Sequence, residues 1–68
     1  MQYEPECELR CIDNNKTSTA IVDRFAENSY VQCFIGRMTI NLQYNSKYKK
    51  YLGKAAGLEF STDGPKIY

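Results

Sequence analysis

The sequence predicts a mainly β protein: one small domain over residues 1–68, built as an antiparallel meander or a partly open barrel. Three observations predict this class. Apolar and polar residues alternate with a period of two in the first half of the chain, as in half-buried strands. Short runs rich in Asn, Asp and Ser separate these segments, and short connections favour antiparallel neighbours. A glycine inside the longest apolar stretch indicates a bulge or sharp bend, which lets a small sheet curl.

The first strand is predicted over residues 3–11, where one phase is apolar and the other charged. Pro5 has no amide donor, so it belongs near the strand start or on an edge. The even positions face solvent and the odd positions face the core. The odd positions are Tyr3, Pro5, Cys7, Leu9 and Cys11, and the even positions are Glu4, Glu6, Glu8 and Arg10.

Three further segments follow the first strand. A turn is predicted at 13–16, because Asp and Asn side chains bond their own backbone and tolerate left-handed conformations. Residues 17–25 are rich in β-branched side chains and predict a second strand, which ends in a turn over 26–29. The apolar phase in residues 30–44 changes at Gly36. This change predicts either one long bent strand or two strands joined sharply at the glycine.

Residues 47–56 carry two conflicting signals. Four apolar residues have the i, i+3, i+4, i+7 spacing of a helical face. Ser46 is a suitable N-cap and Gly57 a suitable residue after the helix end. Gly53 opposes the helix, since glycine in a helix interior costs about 1 kcal/mol relative to alanine. We predict a short helix over 47–56, with a hairpin as the alternative. The four apolar residues are Tyr48, Tyr51, Leu52 and Ala55.

The predicted architecture is typical of SH3-like and OB-like small barrels, although such folds do not define a function. The chain is 43% hydrophobic and 25% charged, which is the composition of a folded domain. No apolar run approaches the roughly 20 residues of a membrane span. The acidic start lacks the features of a secretory signal. We therefore expect a cytoplasmic protein with no membrane contact.

The sequence contains no catalytic constellation. Histidine, the commonest general base and metal ligand, is absent, and the glycines do not form a phosphate loop. Cys7, Cys11 and Cys33 lack a fourth ligand for zinc, and we interpret them as reduced, buried apolar residues. The glutamates of the first strand are interpreted as a solvated face. We predict that the protein is not an enzyme and has no catalytic residues, no metal site and no cofactor.

The charges divide the chain into an acidic and a basic half. Residues 1–36 carry six acidic and three basic side chains, whereas residues 37–68 carry six basic and two acidic ones. The lysines concentrate in residues 45–54, where they interleave with tyrosines. Such asymmetry points to a charged partner. The candidate binding residues are Arg37, Tyr44, Lys47, Tyr48, Lys49, Lys50, Tyr51 and Lys54.

We expect the protein to act by binding, and the first hypothesis is a protein–protein interaction module: an adaptor, an inhibitor or an accessory subunit. The alternative is single-stranded RNA or DNA, with lysines on phosphates and tyrosines of residues 44–54 stacked on bases. A core position for Tyr48 and Tyr51 would oppose this alternative, and a pI near 7.7 is low for it. The opposite charges of the two halves also suit a homo-oligomer.

Overall fold

A computed structural model describes residues 2–68 and contains six β-strands. Each strand pairs antiparallel with the next one along the chain, and the last pairs with the first, so the sheet is a closed barrel. The predicted small antiparallel meander or barrel is therefore confirmed. The strands are β1 (Glu6–Cys11), β2 (Lys16–Ala26), β3 (Tyr30–Ile35), β4 (Met38–Asn45), β5 (Lys50–Ala55) and β6 (Leu58–Thr62).

The inward phase of the strands fills the barrel. β1 alternates exposed and buried residues along its whole length, as predicted from its period of two. The outward phase of β4, which includes Asn41 and Gln43, is exposed. Alternation in the sequence therefore identified the buried face of β1, β3 and β4 correctly. The largest fully buried side chains are Leu9, Val31, Cys33, Ile40 and Leu42.

Two strands occupy the long apolar stretch, which is the second of the two predicted arrangements. β3 ends at Ile35, β4 begins at Met38, and these two residues pair with each other. Both therefore lie on the inner phase, which explains the change of phase in the sequence. Gly36 has φ +59 in the turn between them, a conformation that glycine adopts without steric cost. The bulge of the sheet lies instead in β2, where the register shifts between Val22 and Arg24.

The helix predicted over 47–56 does not form, and the hairpin alternative is correct. Residues 46–49 are a loop and β5 follows it. The side-chain oxygen of Asn45 accepts hydrogen bonds from the backbone N–H groups of Lys47 (2.9 Å) and Tyr48 (3.3 Å). Pairing of β5 with both β4 and β6 outweighs the weak helical preference of the segment.

Gly53 is explained by the close approach of β5 to β4. A β-carbon at this position would collide with the carbonyl oxygen of Asn41 and would lie 3.0 Å from the Cα atom of Leu42. These are backbone atoms, which cannot rotate away as a flexible side chain can. Only glycine allows two backbones to approach so closely.

An aromatic row closes one end of the barrel. Successive rings meet edge to face, with centroids 5.1, 5.9 and 5.1 Å apart, which is the geometry that ring quadrupoles favour. The hydroxyl of Tyr51 accepts a hydrogen bond of 2.9 Å from the backbone N–H of Asn28. Tyr51 is therefore part of the core. The row consists of Tyr3, Phe25, Tyr51 and Tyr44.

Candidate functional site

A groove crosses the outer face of β1, β6 and β5, where the barrel closes. Arg10, Ser61 and Leu52 are paired across these three strands, so their side chains lie in one row on the outer surface. Two adjoining depressions of about 470 and 340 Å³ form the groove. Both are lined by Arg10, Lys50 and Ser61, so the groove is continuous.

Apolar surface is exposed in the larger depression. Ile12, from the β1–β2 loop, is 49% exposed, and Tyr48, from the 46–49 loop, is 58% exposed. Leu52 lies half-buried in the same depression. Large apolar side chains that converge in a concave surface, with polar groups around them, are typical of binding sites. We call this surface, lined by the residues of both depressions, the outer groove.

The loop that carries Ile12 is attached to β6 by hydrogen bonds. The backbone N–H of Ile12 donates to the carbonyl oxygen of Glu59 at 2.8 Å. The N–H of Glu59 donates in turn to the carboxylate of Asp13 at 2.6 Å. The Arg10 guanidinium donates to the side-chain oxygen of Asn15 in the same loop. These bonds hold Ile12 at the groove and reduce the entropy lost when a ligand binds.

The outer groove carries charges of both signs. Lys50 forms an ion pair of 2.9 Å with Asp63, whereas Lys54, which does not line the groove, is 3.9 Å from Glu59, which does. Glu8 also lines the groove. Exposed pairs of this kind contribute little to stability, but they determine which charges a ligand meets. The acidic and basic halves of the chain meet here because only β6 lies between β1 and β5.

The eight predicted binding residues are separated into three groups. Tyr51 is 4% exposed and Tyr44 is half-buried against it, so both belong to the aromatic row. Arg37 lies in the β3–β4 turn, at the barrel end opposite the 46–49 loop, because consecutive turns of a meander alternate between ends. The five others are exposed on the 46–49 loop and the outer face of β5. They are Lys47, Tyr48, Lys49, Lys50 and Lys54.

Tyr51 was predicted as a binding residue, and the structure places it in the core instead. Its ring is packed between neighbours of the aromatic row, so it cannot stack on a ligand. Tyr48, three residues earlier, is the exposed member of the pair. The ammonium group of Lys47 lies 5.6 Å from the centroid of the Tyr48 ring, within the range of a cation–π contact.

Arg10, Ile12, Leu52 and Ser61 were not predicted as site residues. Ile12 did carry a signal, because it is an apolar residue at the position that continues the charged phase just past the predicted first strand. Arg10 and Ser61 carried none, since they meet only when β1 closes on β6.

The three thiols lie in the barrel core. Cys7, Cys11 and Cys33 are unpaired and at most 6% exposed, as predicted. The hydrogen bond with Cys7, together with burial, raises the pKa of the Cys33 thiol. Since the thiolate is the nucleophile and the metal ligand, this shift disfavours the reactive form of Cys33. Residues 2–68 contain no group of three or more His, Cys, Asp or Glu side chains placed to hold a metal ion.

Comparison with known proteins identifies no relative. No family model matches the chain, and neither does any curated protein or solved structure. The described residues, 2–68, include no helix with the length and apolar character needed to cross a membrane. The function is therefore inferred from the geometry and chemistry of the surface itself.

Proposed function

We propose that the protein is a non-catalytic module that binds another protein through the outer groove. The observation that supports this most strongly is the convergence of exposed Ile12 and Tyr48 with half-buried Leu52, beside Arg10 and Lys50. Protein interfaces have this composition: an apolar and aromatic centre, with arginine and tyrosine enriched, inside a polar rim. An adaptor, an inhibitor and an accessory subunit are the roles that suit such a module.

The mixed charge of the outer groove favours a protein over a nucleic acid. Lys50 and Lys54 already face carboxylates, so a phosphate would have to displace Asp63 or Glu59. A protein surface can complement both signs. Tyr48 is the single aromatic residue lining the groove in the described chain. Proteins that bind single strands commonly stack successive bases on several rings.

Two isoleucines on the surface provide a matched test. Ile12 lines the outer groove, whereas Ile21 lies on β2, outside the groove, with a similar exposure of 57% against 49%. Wild type, Ile12→Asp and Ile21→Asp would be immobilised and incubated with an extract of the native cells. We expect one set of proteins to be retained by wild type and Ile21→Asp and lost from Ile12→Asp, as identified by mass spectrometry.

Circular dichroism and thermal unfolding would show that both aspartate variants are folded. Retention of the same partners by Ile12→Asp and by wild type would contradict the proposed site. A partner confirmed in this way would then be purified and its affinity measured by calorimetry.

Nucleic-acid binding is retained as a second candidate because Lys47, Tyr48, Lys49, Lys50 and Lys54 are exposed on one loop and strand. The test is fluorescence anisotropy of a labelled, mixed-sequence single strand at two salt concentrations. The variant Lys49→Glu/Lys50→Glu would be compared with Lys16→Glu/Lys66→Glu, which has the same net charge.

Our proposal predicts no binding of the single strand at moderate salt. The second candidate predicts affinity that falls steeply with salt, because each neutralised phosphate adds about 0.7 to the slope for a single strand. It also predicts that the Lys49/Lys50 variant loses binding while the Lys16/Lys66 variant retains it.

A further inference from the structure

The first part of β2 has an unpaired backbone edge. On one side, β2 pairs with β1 along residues 16–21. On the other side, its pairing with β3 begins only at Ile21, opposite Phe34. β3 ends at Ile35, one residue past Phe34, and turns into β4, so in the described chain no strand pairs with residues 16–20 on that side.

This edge carries little of the protection that usually prevents strand addition, since Lys16 at its start is the one charged residue among residues 16–20. Thr17, Ser18 and Thr19 are exposed, uncharged and favourable in strands. Proteins commonly protect an edge with proline, a bulge or charged side chains. The bulge of β2 lies farther along, between Val22 and Arg24, where β2 is already paired on the β3 side. The backbone of this edge is therefore open to an incoming strand.

An apolar cup of about 220 Å³ opens beside the edge. Ser18 and Lys16 line it, because they are opposite Leu9 and Cys11 and so lie on the inner phase of β2. Both are nevertheless exposed, since β3 does not extend far enough to cover them. The apolar residues that line the cup are Leu9, Cys11, Ile35, Met38, Leu58 and Phe60.

Two cations border the cup. Lys16 lines it directly, and Arg37 lies in the turn between the lining residues Ile35 and Met38. Both are exposed, and neither takes part in the two ion pairs of residues 2–68. A carboxylate next to an apolar side chain would complement this surface.

We propose that residues 16–20 are a strand-addition site for an extended peptide with one aliphatic side chain flanked by carboxylates. The peptide backbone pairs with β2, the aliphatic side chain enters the cup, and a carboxylate approaches Lys16 or Arg37. Main-chain pairing of this type provides affinity, while the pocket provides specificity. The site is separate from the outer groove and does not depend on the function proposed for that groove.

A peptide fits this edge better than a second copy of the chain does. Edge-to-edge pairing of two copies would involve only about five residues of each β2. Stable protein interfaces use about 20–30 residues a side. A flexible peptide, by contrast, can pair with the edge through its backbone while one of its side chains enters the cup.

The test uses labelled peptides of the pattern Thr-Asp-Thr-X-Thr-Asp-Thr, with X as Val, Leu, Ile, Met or Asn. We expect saturable binding by fluorescence anisotropy for at least one aliphatic X, and none for Asn. Ser18→Glu places a charge in the cup and should weaken binding at least about tenfold, whereas Thr17→Glu, on the opposite face, should change it less than about twofold. Thermal unfolding would confirm that both variants fold.

Amide hydrogen exchange would locate the bound peptide, and slower exchange within residues 16–20 is the expected result. No binding of any aliphatic peptide at millimolar concentration would overturn the proposal. Protection near Tyr48 and Leu52 would also overturn it, while leaving the proposed function of the outer groove intact. A dimer seen by sedimentation and abolished by Ser18→Glu would assign the edge to a second copy instead.

Discussion

At the scale of single residues, two tyrosines show how position in the barrel decides a role. Tyr48 and Tyr51 are equally attractive stacking residues in the sequence. One lies in the loop and is 58% exposed, whereas the other lies on the inner face of β5 and is 4% exposed. Period-two alternation in β5 places Lys50, Leu52 and the other even-numbered positions outside. Of these two tyrosines, only Tyr48 is available to a ligand.

Gly53 leads to a prediction about stability. Gly53→Ala should lower the free energy of unfolding by about 3 kcal/mol, because its new methyl group meets immobile backbone atoms of β4. Gly57→Ala is the control: Gly57 has φ +75, but no atom lies within 4 Å of an added β-carbon. Gly57→Ala should lower the free energy of unfolding by about 1 kcal/mol, which is the cost of a left-handed conformation for a residue with a side chain. Urea unfolding measures both free energies. Equal losses in the two variants would show that the β4 backbone does not approach Gly53 this closely.

At the scale of the elements, the β4–β5 hairpin forms where the sequence predicted a helix. The apolar residues of 47–56 suit a helical face, but Tyr51 pairs with Tyr44 on one side and Thr62 on the other. A strand between two neighbours satisfies its backbone groups on both edges. Local propensity differs by only a few tenths of a kcal/mol per residue and cannot oppose that gain.

The loop of this hairpin can be tested with two adjacent substitutions. Asn45→Ala removes the acceptor of two backbone N–H groups and should destabilise the protein by about 1 kcal/mol. Ser46→Ala should have almost no effect, although Ser46 would be the N-cap if the segment were helical. If the segment were a helix, Ser46→Ala would be the more destabilising of the two substitutions, at a cost of about 1 kcal/mol. Chemical unfolding of the two variants distinguishes the structures.

At the scale of the whole molecule, the pairing of β1 with β6 converts a meander into a barrel. The backbone register of these strands covers only Arg10↔Ser61 and Cys11↔Phe60. Beyond it, the hydroxyl of Thr62 donates to the carbonyl oxygen of Glu8 at 2.7 Å. The closure creates the outer groove, since β6 is the one strand from the second half of the described chain that pairs with β1.

Thr62→Val should therefore weaken the closure. The variant keeps the shape of the side chain but leaves the partly buried carbonyl of Glu8 without its donor, at a cost of about 1–2 kcal/mol. Thr62→Ser keeps the hydroxyl and should therefore lower the free energy of unfolding less than Thr62→Val does. Equilibrium unfolding gives the stabilities, and amide exchange should show faster opening of β1 and β6 in Thr62→Val. Equal stability of wild type and Thr62→Val would mean that this bond does not hold the barrel closed.

The sequence by itself determined the β class, the buried face of three strands and the approximate position of the first two turns. These features depend on local alternation and on turn residues, which act within a few positions along the chain. It also indicated an exposed cluster of lysines around Tyr48. None of these conclusions required knowledge of which strands are neighbours.

Only the tertiary structure decided the hairpin at 46–55, the burial of Tyr51, the outer groove and the unpaired edge of β2. Each of these depends on contacts between residues far apart in sequence, such as Glu8 with Thr62 and Arg10 with Ser61. The edge exists because β2 has 11 residues and β3 has six, a difference that matters only when the strands are aligned. Local patterns do not encode such alignment, because register and closure are set by packing of the whole barrel.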